Sequence, residues 1–386
     1  MNPTVSSPRN APAVGAASPG PARPGSGHPG VPGPGAAASE PRRRAVARVR
    51  MPGALSFRNI GALYVWLAIA VIFTLWAPST FPTWTTARQI LDENAATGLM
   101  ALSVVIPLCT RTFDLSVGFI ASLSAVTASY MIAHGIPVAA AVAIAMGGAL
   151  LVGLINAGVV VVMGVDSFIA TLATGSLIQA FITLMTNDIA ITSPKLAGPF
   201  AKIGQASIGG ITLPVIYTLL VALVIWFVLE HTATGRRLYA TGFNPDSARL
   251  AGVRTARLRF ASLIVSALLA GAAGVILAST LGSGDPQAGV PYLLSAYAAA
   301  FLGASQLRPG RFNAWGTLIA VLLLGTGVVG LGLVSAPNWA PAMFTGVVLI
   351  AALGITGARR RALRKGQRRG LRFGRRRPAT ALPSGT

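Results

Sequence analysis

The sequence has a single cysteine, Cys109, which excludes an intrachain disulfide and any metal cluster built on several thiolates. Charge is scarce as well: 10% of its 386 residues are charged, against roughly a quarter in a soluble globular chain. Only nine residues are acidic, and they fall mostly where apolar runs end, so no paired carboxylates suggest acid–base catalysis. His28, His134 and His231 are too scattered to supply a metal-ligand spacing. Lysines number three, and Lys195, Lys202 and Lys365 follow Pro, Ala and Arg. A phosphate-cradling Walker A loop places its lysine directly after glycine, so this chain has no P-loop and needs no nucleotide cofactor of its own.

What is abundant is apolar sequence, at 53% of all residues. Many runs reach the 17 or so uncharged residues needed to cross a hydrocarbon core of about 30 Å. Ten such segments are expected, near 60–76, 95–110, 117–134, 138–163, 167–186, 214–230, 260–281, 292–304, 313–334 and 339–357. The fold class is therefore all-α, a polytopic membrane helix bundle of about ten transmembrane spans. Pro107 interrupts the second and the eighth is short, so some spans are expected to be broken or re-entrant.

Residues 1–57 read as a disordered cytoplasmic tail, 58–357 as the membrane domain and 358–386 as a basic cytoplasmic tail. Pro and Gly make up 19 of the first 53 residues, a composition too poor in apolar side chains to fold and without the layout of a signal peptide. With ten spans, 28 of the 31 basic residues face the side that holds both tails, which the positive-inside rule identifies as the cytoplasm. That asymmetry, with no aromatic interleaving, reads the net charge of +22 as membrane orientation plus attraction to anionic lipid, and not as a nucleic-acid surface.

Ala145, Ala149, Gly153 and Ala157 recur every four residues and predict one helix face for close packing. Asn156, Thr171, Thr174 and Gln179 are polar groups within apolar helices, where they either bond across helices or line a translocation path. Phe168 and Phe181 read as packing or interface residues, and Phe168 joins the path candidates. Asp114, three residues after Arg111, either pairs with it at the membrane edge as a gate or caps the following span.

The largest cytoplasmic loop contains its own helix signals. Asn244 suits an N-cap, Pro245 the first helical position, Asp246 the positive helix start and Gly252 a C-terminal stop. They predict about two turns of helix outside the membrane, with Ala248, Arg249, Leu250 and Ala251 available to a partner. Bundle linkers usually take about 2–8 residues, and this one is far longer.

Four motifs together resemble the ribose-type permeases of bacterial ABC sugar importers, within the binding-protein-dependent permease family that also includes branched-chain amino acid permeases. They are Thr112-Phe-Asp-Leu-Ser-Val-Gly118, Ser167-Phe-Ile-Ala-Thr-Leu-Ala-Thr174, Gly235-Arg-Arg-Leu-Tyr-Ala240 with Asn244 to Gly252, and Ala298 to Gly303 with Trp315-Gly-Thr317. The resemblance spans about 58–357. It implies a permease homodimer in the bacterial cytoplasmic (inner) membrane, a separate ATPase subunit carrying ATP and magnesium, and an extracytoplasmic solute-binding protein. It also makes 244–252 a coupling helix and a monosaccharide or similar small polar solute the cargo. An ion-coupled secondary transporter, and an ABC permease for branched-chain amino acids or nucleosides, are the alternatives. The chain departs from the family at Arg111-Thr112, where a glycine pair is usual, at Gly303-Ala304-Ser305, and at Arg308-Pro-Gly-Arg311, which replaces a glycine-rich turn.

Overall fold

The computed structural model describes residues 61–308 and 310–350. Both expected tails, 1–57 and 358–386, lie outside the described residues, as do the ends of the expected membrane domain. Helices dominate: α1 (Gly61–Trp76), α2 (Trp84–Cys109), α3 (Val117–Ala133), α4 (Val138–Ala157), α5 (Ser167–Thr186), α6 (Ala201–Gln205), α7 (Leu213–His231), α8 (Ala233–Phe243), α9 (Pro245–Leu250), α10 (Thr255–Leu281), α11 (Val290–Gly303) and α12 (Ala314–Leu333). A further apolar helix, α13, covers Ala340–Ile350.

Among the described residues six helices are long and apolar enough to cross a membrane: α2, α4 with its extension to Val162, α5, α7, α10 and α12. The other four expected segments are also helical, in α1, α3, α11 and α13, but each apolar stretch is 17 residues or shorter. Length and composition thus support six spans where about ten were expected. The 14 residues of α11 reach only about 21 Å at 1.5 Å per residue. The expected interruption of the second span is absent, because α2 runs unbroken and Pro107 falls in its last turn. Lacking an amide, Pro107 donates no helical hydrogen bond to the turn before it. The carbonyl of Pro107 instead accepts from Thr110 N and Thr112 N as the chain turns out of the helix.

At the centre is α2, buried on nearly every side from Ala95 to Val105, as a helix apolar all round must be. Around it pack α7, α10, α11 and α12, with α10 also against α3 and α4. The small-residue stripe of α4 packs closely, as its spacing implied, and its neighbour is α10: Ala145, Ala149 and Ala157 are buried, Gly153 meets Ala267, and Gly271 meets Ala149. A very close approach is made at Gly274 of α10, where a Cβ would overlap the Ala121 carbonyl oxygen of α3. Large apolar side chains such as Leu67, Leu177, Leu184 and Val224 project outward from α1, α5 and α7, as lipid-facing surfaces require. Beyond Gly158 the last turn of α4 widens to a π-helical turn through Val162.

The 187–213 connection folds into a short 3-10 turn, α6 and two antiparallel strand pairs, Ile191–Thr192 with Ser283–Gly284 and Ser207–Ile208 with Ile211–Thr212.

Candidate functional site

Three groups of polar residues stand out from this apolar bundle. The first is the elbow between α7 and α10. Asn244 has an extended backbone, and its Oδ1 accepts from Asp246 N and Ser247 N, both at 3.1 Å. Pro245 opens α9 and Asp246 pairs with Arg249 at 3.2 Å. At the other end Gly252 takes φ of +80°, its amide donating to Arg249 O while Val253 N donates to Ala248 O. This is the Schellman arrangement that satisfies last-turn carbonyls. Leu250 is 91% exposed and Ala251 is also exposed, whereas Ala248, expected on the partner-facing side, is buried inside the chain. Ala248 anchors α9; Arg249, Leu250 and Ala251 are what α9 offers outward.

Asn244→Ala is expected to weaken α9 by about 1 kcal/mol through loss of its cap. Faster amide hydrogen exchange at Ser247 to Ala251, with the remaining helices unchanged, is the measurement that checks it.

Sequence reasoning missed α8, which precedes α9 directly. Thr232 caps it, accepting from Gly235 N at 3.3 Å, a threonine three residues ahead of a glycine that read as loop. Leu238, Tyr239 and Gly242 are buried beneath α8. At Gly242 a side chain would overlap the Cys109 carbonyl oxygen, so only glycine lets α8 lie against the end of α2. Burial, then the neighbouring Cys109, push the Tyr239 phenol above its ordinary value, so its hydroxyl remains a donor.

The second group surrounds the link from α2 to α3. Its consecutive amides are each satisfied by a side chain from elsewhere: Phe113 N by Ser167 Oγ at 3.0 Å, Asp114 N by Tyr297 Oη at 3.0 Å and Leu115 N by Thr171 Oγ1 at 2.9 Å. Ser167 and Thr171 stand one turn apart on α5 and so reach alternate amides of the extended link. Asp114 Oδ1 accepts from Ser116 N and Oγ, and Asn156 Nδ2 donates to Ser116 Oγ at 2.8 Å.

Asp114, Asn156 and Thr171 are fully buried. The pairing of Asp114 with Arg111 expected at the membrane edge does not form: Arg111 is exposed with φ of 57°, and no carboxylate pairs with it among the described residues. Asn156 Oδ1 lacks a hydrogen-bond partner, and Ser266 lies beside the Asp114 carboxyl. The link lies outside the helices, and burial raises the Asp114 carboxyl above the ordinary carboxylate range.

Of the remaining candidates, Phe168 is half-exposed with its ring edge-on to Phe113 at 6.5 Å, and Thr174 bonds back to Ala170 O at 3.0 Å. Phe181 is exposed, and both polar atoms of Gln179 are buried without a partner.

The third group lines a cavity of about 600 Å³ between α2, α10, α11, α12 and α13. Asp92, Glu93, Asn94 and Thr97 come from α2, Thr280 from α10, Tyr292 and Ser295 from α11 and Thr345 from α13, among apolar walls that include Leu277, Leu324 and Val328. Asp92 is held by Arg88 at 3.4 Å and by Thr212 Oγ1 at 2.7 Å, and Glu93 Oε1 accepts from Gln89 at 2.8 Å. A mostly apolar concavity with a few convergent polar groups is suited to a small polar solute. None of Asp114, Asn156, Phe168, Thr171 and Thr174 lines it. With the second span expected to begin at 95, Asp92 to Asn94 read as its polar boundary; α2 starts at Trp84, so all three stand on the helix and line the cavity.

The cavity and the elbow lie at opposite ends of α10. From Thr255, just beyond α9, to Thr280 in the cavity wall is roughly 37 Å of continuous helix.

Comparison with known proteins follows the same line. The profile of the family described as "Branched-chain amino acid transport system / permease component" matches residues 88–353. The D-allose transport system permease protein of Escherichia coli K12 is 32% identical over 78% of this chain and 92% of its own length. A ribose import permease protein of Bacillus subtilis is 33% identical, covering 69% of this chain and 82% of its own. An L-arabinose ABC transporter permease protein of Azospirillum brasilense is 29% identical over 80% and 91%.

Proposed function

Because the chain belongs to the family of branched-chain amino acid transport system permease components, we propose that it is the membrane-spanning subunit of an ABC importer for a monosaccharide. The single observation that carries this reading is the association, within one chain, of a lined cavity with an exposed capped helix at the other end of α10. Relatives named for allose, ribose and arabinose transport support a sugar as cargo over branched-chain amino acids, nucleosides or ion-coupled transport.

The subunit is not an enzyme, and a separate ATPase and a solute-binding protein are the partners that a permease of this class works with. In this reading the binding protein delivers sugar to the cavity, where Asp92, Glu93, Asn94, Ser295 and Thr345 offer hydrogen bonds to hydroxyls. The ATPase, holding ATP and magnesium, docks on Arg249, Leu250 and Ala251. Its closure displaces α9, and α10 carries that displacement into the cavity wall.

The bonds from Ser167, Thr171 and Tyr297 to the 113–115 amides, with Asp114 and Asn156 beside them, close the inner end as a gate, with Phe168 and Thr174 on the same helix as Ser167. All ten apolar helices cross or enter the inner membrane, both termini face the cytoplasm, and two copies assemble, with anionic lipid at the basic tails.

Co-reconstitution in proteoliposomes with the ATPase and binding protein is the test. Uptake of labelled ribose, allose or arabinose should require ATP and both partners, and Ser295→Trp, which fills the cavity, should lower uptake about tenfold or more. Uphill uptake by the chain alone under an ion gradient would overturn the proposal.

A further inference from the structure

The segment joining α11 to α12 carries two arginines, Arg308 and Arg311, and both reach the elbow. Arg308 pairs with Glu230 in the last turn of α7, a carboxylate side chain only 6% exposed. A buried carboxylate left unpaired is strongly unfavourable, so this contact fixes where the segment sits. The guanidinium carbon of Arg311 lies 5.3 Å from the ring centroid of Tyr239 and 5.7 Å from that of Phe243. These rings stand four residues apart on one face of α8 and hold the cation against it. Next to Arg311, the Phe312 carbonyl accepts the Tyr239 hydroxyl at 2.6 Å.

The other side of the segment is tied just as firmly. Asn313 Nδ2 donates to the carbonyls of Gly303, Gln306 and Arg311 at 3.3, 3.3 and 3.1 Å, and its Oδ1 accepts from Gly316 N at 2.7 Å. One side chain therefore binds the last residue of α11 to the first turn of α12. Gly303 and Gly316 are in backbone contact, and a Cβ on either would overlap the other helix. These two helices carry Tyr292, Ser295, Leu324, Gly325 and Val328 into the cavity wall.

We propose that Glu230, Arg308 and Arg311 form a strut through which displacement of the elbow, from the last turn of α7 through α8 and α9, moves α11 and α12, making them positioning residues for coupling hydrolysis to transport. The strut rests on the importer reading and adds a second route to the cavity, parallel to α10. Its members touch neither solute nor nucleotide. Removing them leaves docking and hydrolysis intact and breaks the link between hydrolysis and the cavity.

The experiment uses the full chain with ATPase and binding protein in proteoliposomes, measuring sugar moved per ATP hydrolysed. Arg311 is exposed, so Arg311→Ala leaves the fold intact. It should lower that ratio at least about threefold, with ATPase co-purification and binding-protein-stimulated hydrolysis unchanged, while Arg311→Lys, retaining a cation over the rings, should recover most of it. Glu230→Gln with Arg308→Gln keeps the shape of the other contact without burying a lone charge, and should lower the ratio similarly.

An unchanged ratio in both variants would overturn the strut, as would loss of ATPase binding in Arg311→Ala, which would make Arg311 a docking residue. Absence of ATP-dependent uptake by the unaltered protein would instead strike the importer reading.

Discussion

Arg249→Glu combined with Leu250→Asp is expected to reduce co-purification of the ATPase subunit by about 100-fold, the scale of removing two interface anchors together. Leu250 is 91% exposed at the end of α9, and no part of the described chain covers it. Neither substitution opens a hole in the bundle. The Asp246–Arg249 pair is well exposed at 3.2 Å, a class of contact that adds little stability. Meanwhile Asn244, Ala248 and Gly252, which hold α9 in place, are untouched. The variant should therefore reach the membrane in normal amount and elute as a folded protein, separating loss of docking from loss of fold. An ATPase that still co-purifies undiminished with the double variant would remove α9 from the docking surface.

Gly274→Leu should prevent the bundle from assembling. Its first side-chain carbon would overlap the Ala121 carbonyl oxygen, and neighbouring Ala121 backbone atoms lie almost as near. Backbone cannot swing aside as a flexible side chain does, so α10 must leave α3. Since α10 also packs on α2 and α4, the displacement spreads through the core at a cost of about 3 kcal/mol or more. Gly147→Leu is the control: a Cβ there meets nothing within 4 Å. Thermal denaturation followed by size-exclusion chromatography in detergent should show Gly274→Leu aggregated and Gly147→Leu close to the parent. Equal stability of the two would contradict the α3–α10 packing.

The capped helix α9 was legible because its determinants are local. Asn244, Pro245 and Gly252 each act within three residues of themselves, so spacing alone identified them. The small-residue face of α4 was legible for a similar reason, a four-residue period being a property of one helix. Its destination on α10 was not, since the choice of neighbour depends on the whole bundle. The cavity escaped notice because Asp92, Glu93 and Asn94 look like the polar rim of a span, and only the true start of α2 at Trp84 puts them within it. Likewise Arg111 and Asp114 invited pairing by proximity in sequence, but the turn after Cys109 buries one and exposes the other. The motif Ser167 to Thr174 was recognised by resemblance, and its physical content emerged only with the 113–115 amides that Ser167 and Thr171 satisfy.

Helix α10 runs 27 residues without a break. On the importer reading proposed above, the stretch that receives force and the stretch that touches cargo are one girder with no joint along its length. Such a girder ties inheritance as well as mechanics: a change that bends it to suit a new sugar also shifts the handle that the motor grips. Selection for new cargo is freer on the walls supplied by α2 and α13, where a side chain can change without moving that handle.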